Sequence, residues 1–235
     1  TGTLTVNQMT VREIFAGNRR YHATGSGYDP EGEITAADGD SSTAESPALK
    51  ACLMAGLLCN DSTLKESAER WDVVGDPTEG ALITSAFKAG LRGAQVERSL
   101  SRLDSVPFES QHQYMATLHQ GEGEGDGNSP HIVYVKGAVE VVVSKCEWAL
   151  DEHGERIELD RDLVIREAER MAADGLRVLA FAFGEVPQEV TAISHADVRG
   201  LTLLGLQGMM DPPRPEAIES VKACQAAGIH VKMIT

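Results

Sequence analysis

Residues 131–138, HIVYVKGA, constrain this chain more than any other stretch. Ile132, Val133, Tyr134 and Val135 form an unbroken run of β-branched and aromatic side chains, which predicts a strand buried on both faces. The run stops at Lys136-Gly137. Ala138 then opens a segment with Val139, Val142, Val143 and Cys146 at i, i+3, i+4 and i+7, the spacing of one helix face. A lysine therefore stands where a buried strand gives way to a helix start. The glycine beside it lets a second backbone or a ligand come close. Strand ends of this kind place anion-binding groups in α/β proteins. Taken locally, a solvated lysine that merely ends a strand explains the pattern as well.

The chain has 235 residues, enough for one large domain or two small ones with a sizeable core. A formal net charge of -15 argues against non-specific binding to nucleic acid or to acidic membranes, while leaving room for a local basic pocket. Cys52, Cys59, Cys146 and Cys224 form no CxxC pair and no metal-type spacing, so buried free thiols are expected. The longest apolar run, residues 51–59, is far shorter than the ~20 residues of a membrane helix, and the chain is expected not to be membrane-inserted. His119 and His131 invite a metal-site reading, but no third ligand stands at useful spacing. No metal-ligating residue is expected.

In chain order, residues 22–46 are acidic and poor in large apolar side chains, which predicts an exposed loop with at most one short hairpin. Ser46-Pro47 starts a buried helix over 48–59, with Asn60-Asp61 ending it. Residues 74–82, VGDPTEGAL, have the form of a capping box: Asp76 as cap, Pro77 at the first helical position and Glu79 three residues after the cap. Phe108, after Pro107 in PFES, reads locally as a core residue. Residues 119–130 are low-complexity and acidic, expected as a long hairpin loop. Asp160 caps a helix over 161–173. Residues 176–183, LRVLAFAF, read as a buried strand interrupted by Arg177, whose charge calls for an anionic partner. That partner is either a nearby carboxylate or a ligand phosphate. Residues 201–206 form another strand, DPPRPE follows at 211–216, Pro215 opens a helix, and residues 229–234 are expected as a last strand.

Five motifs carry a resemblance that no one of them carries alone: TGTLT at 1–5, GDPTEGAL at 75–82, PFES at 107–110, KGA at 136–138 with GLRVLA at 175–180, and DPPR at 211–214 leading to MIT. In this order they resemble the P-type ATPases of the calcium-pump-like type 2 branch. The resemblance implies an α+β fold, a mostly antiparallel sheet with flanking helices, for a nucleotide-binding domain over 8–210. Residues 1–7 and 211–235 would be pieces of a Rossmann-like phosphorylation domain. It further implies ATP with Mg2+, phosphoryl transfer to an aspartate, and coupling to cation transport. Partners would be ATP or ADP and the remaining phosphorylation, actuator and transmembrane domains of a parent pump, with no nucleic acid. On the matching positions Glu79, with Thr78 beside it, would meet the adenine amino group, and Phe108 would stack on the ring. Lys136, Gly137 and Arg177 would line the phosphate side. Thr1, Thr3, Asp211, Arg214 and Thr235 would lie near the phosphates in an intact pump. One departure stands out. Gln113 occupies a position where relatives often carry a lysine, so that cation's role is not carried over. The family's phosphorylated aspartate would precede Thr1, so this chain alone is expected to bind nucleotide without turnover. Two other readings remain: an interaction module whose acidic loops, 22–46 and 119–130, bind a basic partner, or a fragment of a Rossmann-like phosphatase.

Overall fold

A computed structural model describes residues 4–39, 46–67, 70–92, 100–121 and 129–232. One sheet of ten strands forms, and its central strands are near-continuous apolar runs buried on both faces. Its main path runs β3 (Ile34–Ala36), β2 (Arg19–Ala23), β1 (Thr10–Ala16), β12 (Leu201–Met210), β11 (Arg177–Val186), β8 (His131–Gly137), β7 (Tyr114–His119) and β6 (Arg102–Val106). Every ladder along this path is antiparallel. Off it, β9 (Cys146–Leu150) pairs in parallel with β12, and β10 (Arg156–Glu158) pairs with β9. A separate hairpin joins β4 (Thr63–Glu66) to β5 (Trp71–Val74).

The two faces of the sheet carry separate cores. Phe181, Tyr134, Met115 and Leu204 belong to one cluster, while their neighbours Ala180, Ala182, Val133, Val135, Ala116 and Leu203 belong to the other. The first face is covered by α1 (Pro47–Leu58) and α2 (Pro77–Lys88), the second by α3 (Val139–Ser144) and α4 (Arg161–Ala173). The result is the α+β architecture expected, with β8 buried on both sides. Parity along β8 then decides where its last charged residue goes: Lys136 points to the same face as Tyr134, under α2.

Helix starts follow local rules. Ser46 accepts from the Leu49 amide with Pro47 at the first position, and Asp160 accepts from the Leu163 amide. The apolar periodicity after Ala138 is shared by two elements. α3 stops at Ser144, and Cys146 opens β9 opposite Leu201, because pairing with β12 claims it before a further helical turn forms. Glu167 of α4 is buried through a bidentate pair with Arg20 at 2.5 and 2.7 Å, and Arg170 reaches Glu13 at 2.7 Å, tying α4 to β1 and β2.

The ends of the described chain meet. Val6 donates to the Pro212 carbonyl at 3.0 Å, Arg214 to the Leu4 carbonyl at 2.8 Å, and Thr5 Oγ1 to Asp211 Oδ2 at 2.6 Å. α5 (Pro215–Ala226) follows, with no buried residue. Beyond it residues 229–232 form no strand, contrary to the sequence expectation, since no other described strand lies beside them to complete a ladder. The expectation for residues 233–235, and those for Thr1, Thr3 and most of the 119–130 loop, fall outside the described residues.

Candidate functional site

The start of α2 is held by Asp76, whose carboxylate accepts from the amides of Thr78 at 2.8 Å and Glu79 at 3.3 Å. This is half of a capping box. The reciprocal half is absent: the Asp76 amide donates to Ser62 Oγ at 2.9 Å, not to Glu79. Glu79 is thereby released to turn inward. Its Oε2 accepts from Ser62 Oγ at 2.8 Å and from the Asp61 amide at 3.2 Å, and its Oε1 lies 2.5 Å from Lys136 Nζ. The side chains of Lys136 and Glu79 are 9% and 14% exposed, so this is a nearly buried ion pair.

Lys136 is placed by strands on both sides, opposite Met115 of β7 and Phe181 of β11. The next residue explains why a glycine follows. A Cβ on Gly137 would lie 2.4 Å from the Gln113 carbonyl oxygen and 2.7 Å from Tyr114 Cα, both backbone atoms that cannot yield. The close approach that Gly137 permits is thus to a second backbone, and the Ala138 amide seals it by donating to that same Gln113 carbonyl at 2.9 Å. Gln113 itself has φ +57°, the left-handed region, which turns the chain from the 107–113 loop into β7.

A cavity of about 470 Å³ opens above this floor. Thr78 and Glu79 from α2, Phe108 and Gln113 from the loop before β7, Lys136 and Gly137 from β8, and Arg177 from the start of β11 all line it. Residues separated by up to 99 positions are thus brought to one opening. Phe108 is 59% exposed, so the reading of it as core is overturned: its ring is a wall of the cavity, with one face available. Arg177 also corrects the sequence reading. It is the first residue of β11 and exposed, not interior to a buried strand, so no protein anion is required. Its guanidinium has no ion-pair partner among the described residues. Lys136 is the buried cation instead, with its carboxylate already in place.

Asp211 and Arg214 do not line this cavity. They hold the chain ends together, Asp211 by accepting from Thr5 Oγ1 and from the Gln8 amide at 3.2 Å, Arg214 by donating from Nε to the Thr5 carbonyl at 2.9 Å. Sequence reasoning missed Ser62 and Asp61, which orient Glu79, and the apolar floor of Leu82, Met115 and Leu179. Ser62 carried no signal, and Asp61 read only as the end of the helix before it. Met115 and Leu179 could have been found by extending the parity of their strands toward the α2 face.

The cavity presents an exposed aromatic ring, a carboxylate held in place and an exposed guanidinium, groups able to meet an apolar ring, a hydrogen-bond donor and an anion. A volume of a few hundred Å³ suits a nucleotide-sized ligand. The two acids, Asp76 and Glu79, are engaged in capping and in the ion pair, so the lining does not fit a divalent ion of its own. His119 and His131, at the flanks of the acidic loop, are buried with ring nitrogens 2.9 Å from the carbonyl oxygens of Leu100 and Val190. Among the described residues no helix is long and apolar enough to cross a membrane.

Residues 48–216 match the family model described as P-type ATPase, cytoplasmic domain N. The whole chain aligns at 50% identity with the cation-transporting ATPase pma1 of Synechocystis sp., covering 26% of that protein. It aligns at 38% with calcium-transporting ATPase type 2C member 1 of Bos taurus, covering 23%, and at 31% with the calcium-transporting ATPase of Bacillus subtilis, covering 26%. The chain therefore spans about a quarter of the length of the curated relatives it matches.

Proposed function

Because this chain belongs to the family of P-type ATPase cytoplasmic N domains, we propose that it is the ATP-gripping part of a cation-transporting pump. In this reading the adenine ring stacks on the free face of Phe108. Its amino group donates to the Glu79 carboxylate, which Ser62 and Lys136 hold in place. The triphosphate extends toward Arg177, the cavity cation with no ion pair of its own among the described residues. Lys136 spends much of its charge on Glu79, so its part is to fix that carboxylate and lend residual positive potential to the phosphate side. In a longer pump the γ-phosphoryl group would pass to an aspartate. Mg2+ would supply charge neutralisation on the phosphates and ride with the triphosphate, since the cavity lining has no carboxylate to spare for it among the described residues. The remaining phosphorylation, actuator and transmembrane domains would be its partners, placing this domain on the cytoplasmic side of a membrane protein.

The observation that carries the reading is the exposed Phe108 ring facing a buried Lys136–Glu79 pair across one cavity. The test is calorimetric titration of ATP into the chain and into Phe108→Ala. Base stacking contributes about 1–3 kcal/mol per ring, so the variant should bind roughly ten- to a hundred-fold more weakly while remaining folded. Unchanged affinity in a folded variant refutes the assignment.

A further inference from the structure

A second constellation lies in the same loop as Phe108, on residues that the nucleotide reading does not use. Residues 107–113 turn so that the amides of His112 and Gln113 both donate to the Glu109 carbonyl, at 3.0 and 2.8 Å. This brings the side chains of Glu109 and His112 together, with Oε2 and Nε2 3.6 Å apart. The loop that joins β11 to β12 delivers His195 to the same place, 83 positions further along the chain. The His112 and His195 rings lie 3.9 Å apart between centroids. One ligand atom from each of Glu109, His112 and His195 lies within 4.8 Å of the others.

Two features give this cluster the form of a metal site. The first is orientation. His195 Nδ1 is 2.5 Å from the hydroxyl of Tyr114, a buried residue of β7, which fixes the ring and leaves Nε2 for a ligand. A hydrogen-bond partner on the far ring nitrogen is the usual support of a metal-binding histidine. The turn that carries His195 is itself tied down: Ser194 donates to Asp197 through both amide and hydroxyl, and the Ile193 amide donates to Asp104 at 2.8 Å. The second is the occupant of the gap. Gln111 Nε2 stands 2.9 Å from Glu109 Oε2 and 3.2 Å from His112 Nε2, so two electron-pair donors converge on one electropositive point.

We propose that Glu109, His112 and His195 bind a divalent transition-metal ion of the zinc class, joining the 107–113 loop to the 187–200 loop. Two imidazoles and one carboxylate suit zinc, cobalt or nickel better than calcium or magnesium, which prefer all-oxygen sets. With bonds of about 2.0–2.2 Å, tetrahedral ligands sit about 3.4 Å apart. The present spacing closes to that by rotation of the Glu109 and His112 side chains toward His195, which Tyr114 holds, and displacement of the Gln111 amide. The fourth position is left to water.

The test needs no nucleotide, so its failure is separate from any failure of the ATP reading. Zinc is titrated calorimetrically into the 235-residue chain, and cobalt is followed by its visible absorption. One equivalent should bind. His112→Ala and His195→Ala should each weaken it at least ~tenfold, and exposed His153→Ala should leave it unchanged. Glu109→Gln provides a third variant that alters no ring packing, and urea midpoints confirm that each variant is folded. Hydrogen exchange adds a readout of the junction: zinc should slow amide exchange in both loops of the parent chain and in neither loop of His195→Ala. No saturable zinc uptake below about 100 µM overturns the proposal, as does uptake that is indifferent to both histidines. Protection of one loop alone overturns the junction.

Discussion

The Lys136–Glu79 pair joins α2 to the end of β8, and its removal can be worked through in two steps. Lys136→Met leaves the Glu79 carboxylate with two hydrogen bonds, from Ser62 Oγ at 2.8 Å and the Asp61 amide at 3.2 Å. Breaking a buried ion pair by deleting one partner costs about 3–5 kcal/mol, and the surviving bonds put this variant near ~3. Glu79→Gln leaves an ammonium that is only 9% exposed with no counter-charge among the described residues, which puts it nearer ~4. The double variant strands no charge and should cost no more than the worse single, giving a coupling energy of about 3 kcal/mol. The assay is equilibrium urea unfolding at pH 7, followed by circular dichroism, on all four proteins. Additivity within ~0.5 kcal/mol refutes the argument. The same proteins test the nucleotide reading. Lys136→Met should weaken ATP more than adenosine, with a difference that shrinks as salt rises, whereas equal losses for both ligands would make Lys136 part of the scaffold alone.

Burial pushes the thiols of Cys52 and Cys146 up to about 12 and that of Cys59 in the same direction, so iodoacetamide at pH 8 should label Cys224, which is partly exposed, and leave the other three intact until the chain unfolds. Burial also pushes His119 below the usual imidazole range. Its neutral form is favoured by folding, and stability should fall as pH drops below about 6.5, a slope that His119→Asn should flatten in urea midpoints. Glu167 is held below the usual carboxylate range, first by its hydrogen bond from Arg20. Its contribution is complete above about pH 4.5 and should be lost as pH falls through the folded value, a loss absent from Glu167→Gln. Among the described residues the buried Tyr21 hydroxyl has no hydrogen-bond partner, so Tyr21→Phe should be neutral or stabilising by up to ~1 kcal/mol in the same assay.

How much of this was legible in the sequence depends on the range of the interaction. The strand at 132–135, the cap at Asp76 and the helix over 161–173 follow from residues within one or two turns of each other, and all three stand in the structure. Glu79 shows the limit. The local rule assigned its carboxylate to the Asp76 amide, but Ser62 had taken that amide and Lys136, 57 positions away, offered a stronger partner. Arg177 shows another: a strand-like composition does not say which residue is first, and at the first position a guanidinium reaches solvent. The 229–234 run has strand composition, but its described part, residues 229–232, has no described neighbour to pair with, and composition alone does not make a ladder. Glu109, His112 and His195 were invisible for the same reason as the Lys136–Glu79 pair. Two loops bring them together, and no spacing encodes that.

The meeting of residues 4–6 with 212–214 has a mechanical consequence. β1 begins at Thr10 opposite the last residue of β12, Met210, so both strands present their outer ends on the same side. Tension that separates those two ends loads the hydrogen bonds one at a time. The Arg214–Leu4 bond, nearest the ends, would open first, then Thr5–Asp211 and Val6–Pro212, and the β1–β12 ladder would then peel like a zipper at low force. Tension applied to both ends in the same direction loads the two segments as a double strap and opens nothing. Arg177 of the cavity pairs with Met209, one residue before the Thr10–Met210 end of the ladder, so peeling of the ends would reach the cavity wall within a few residues. A larger body holding both ends on one rigid support would leave that wall unloaded.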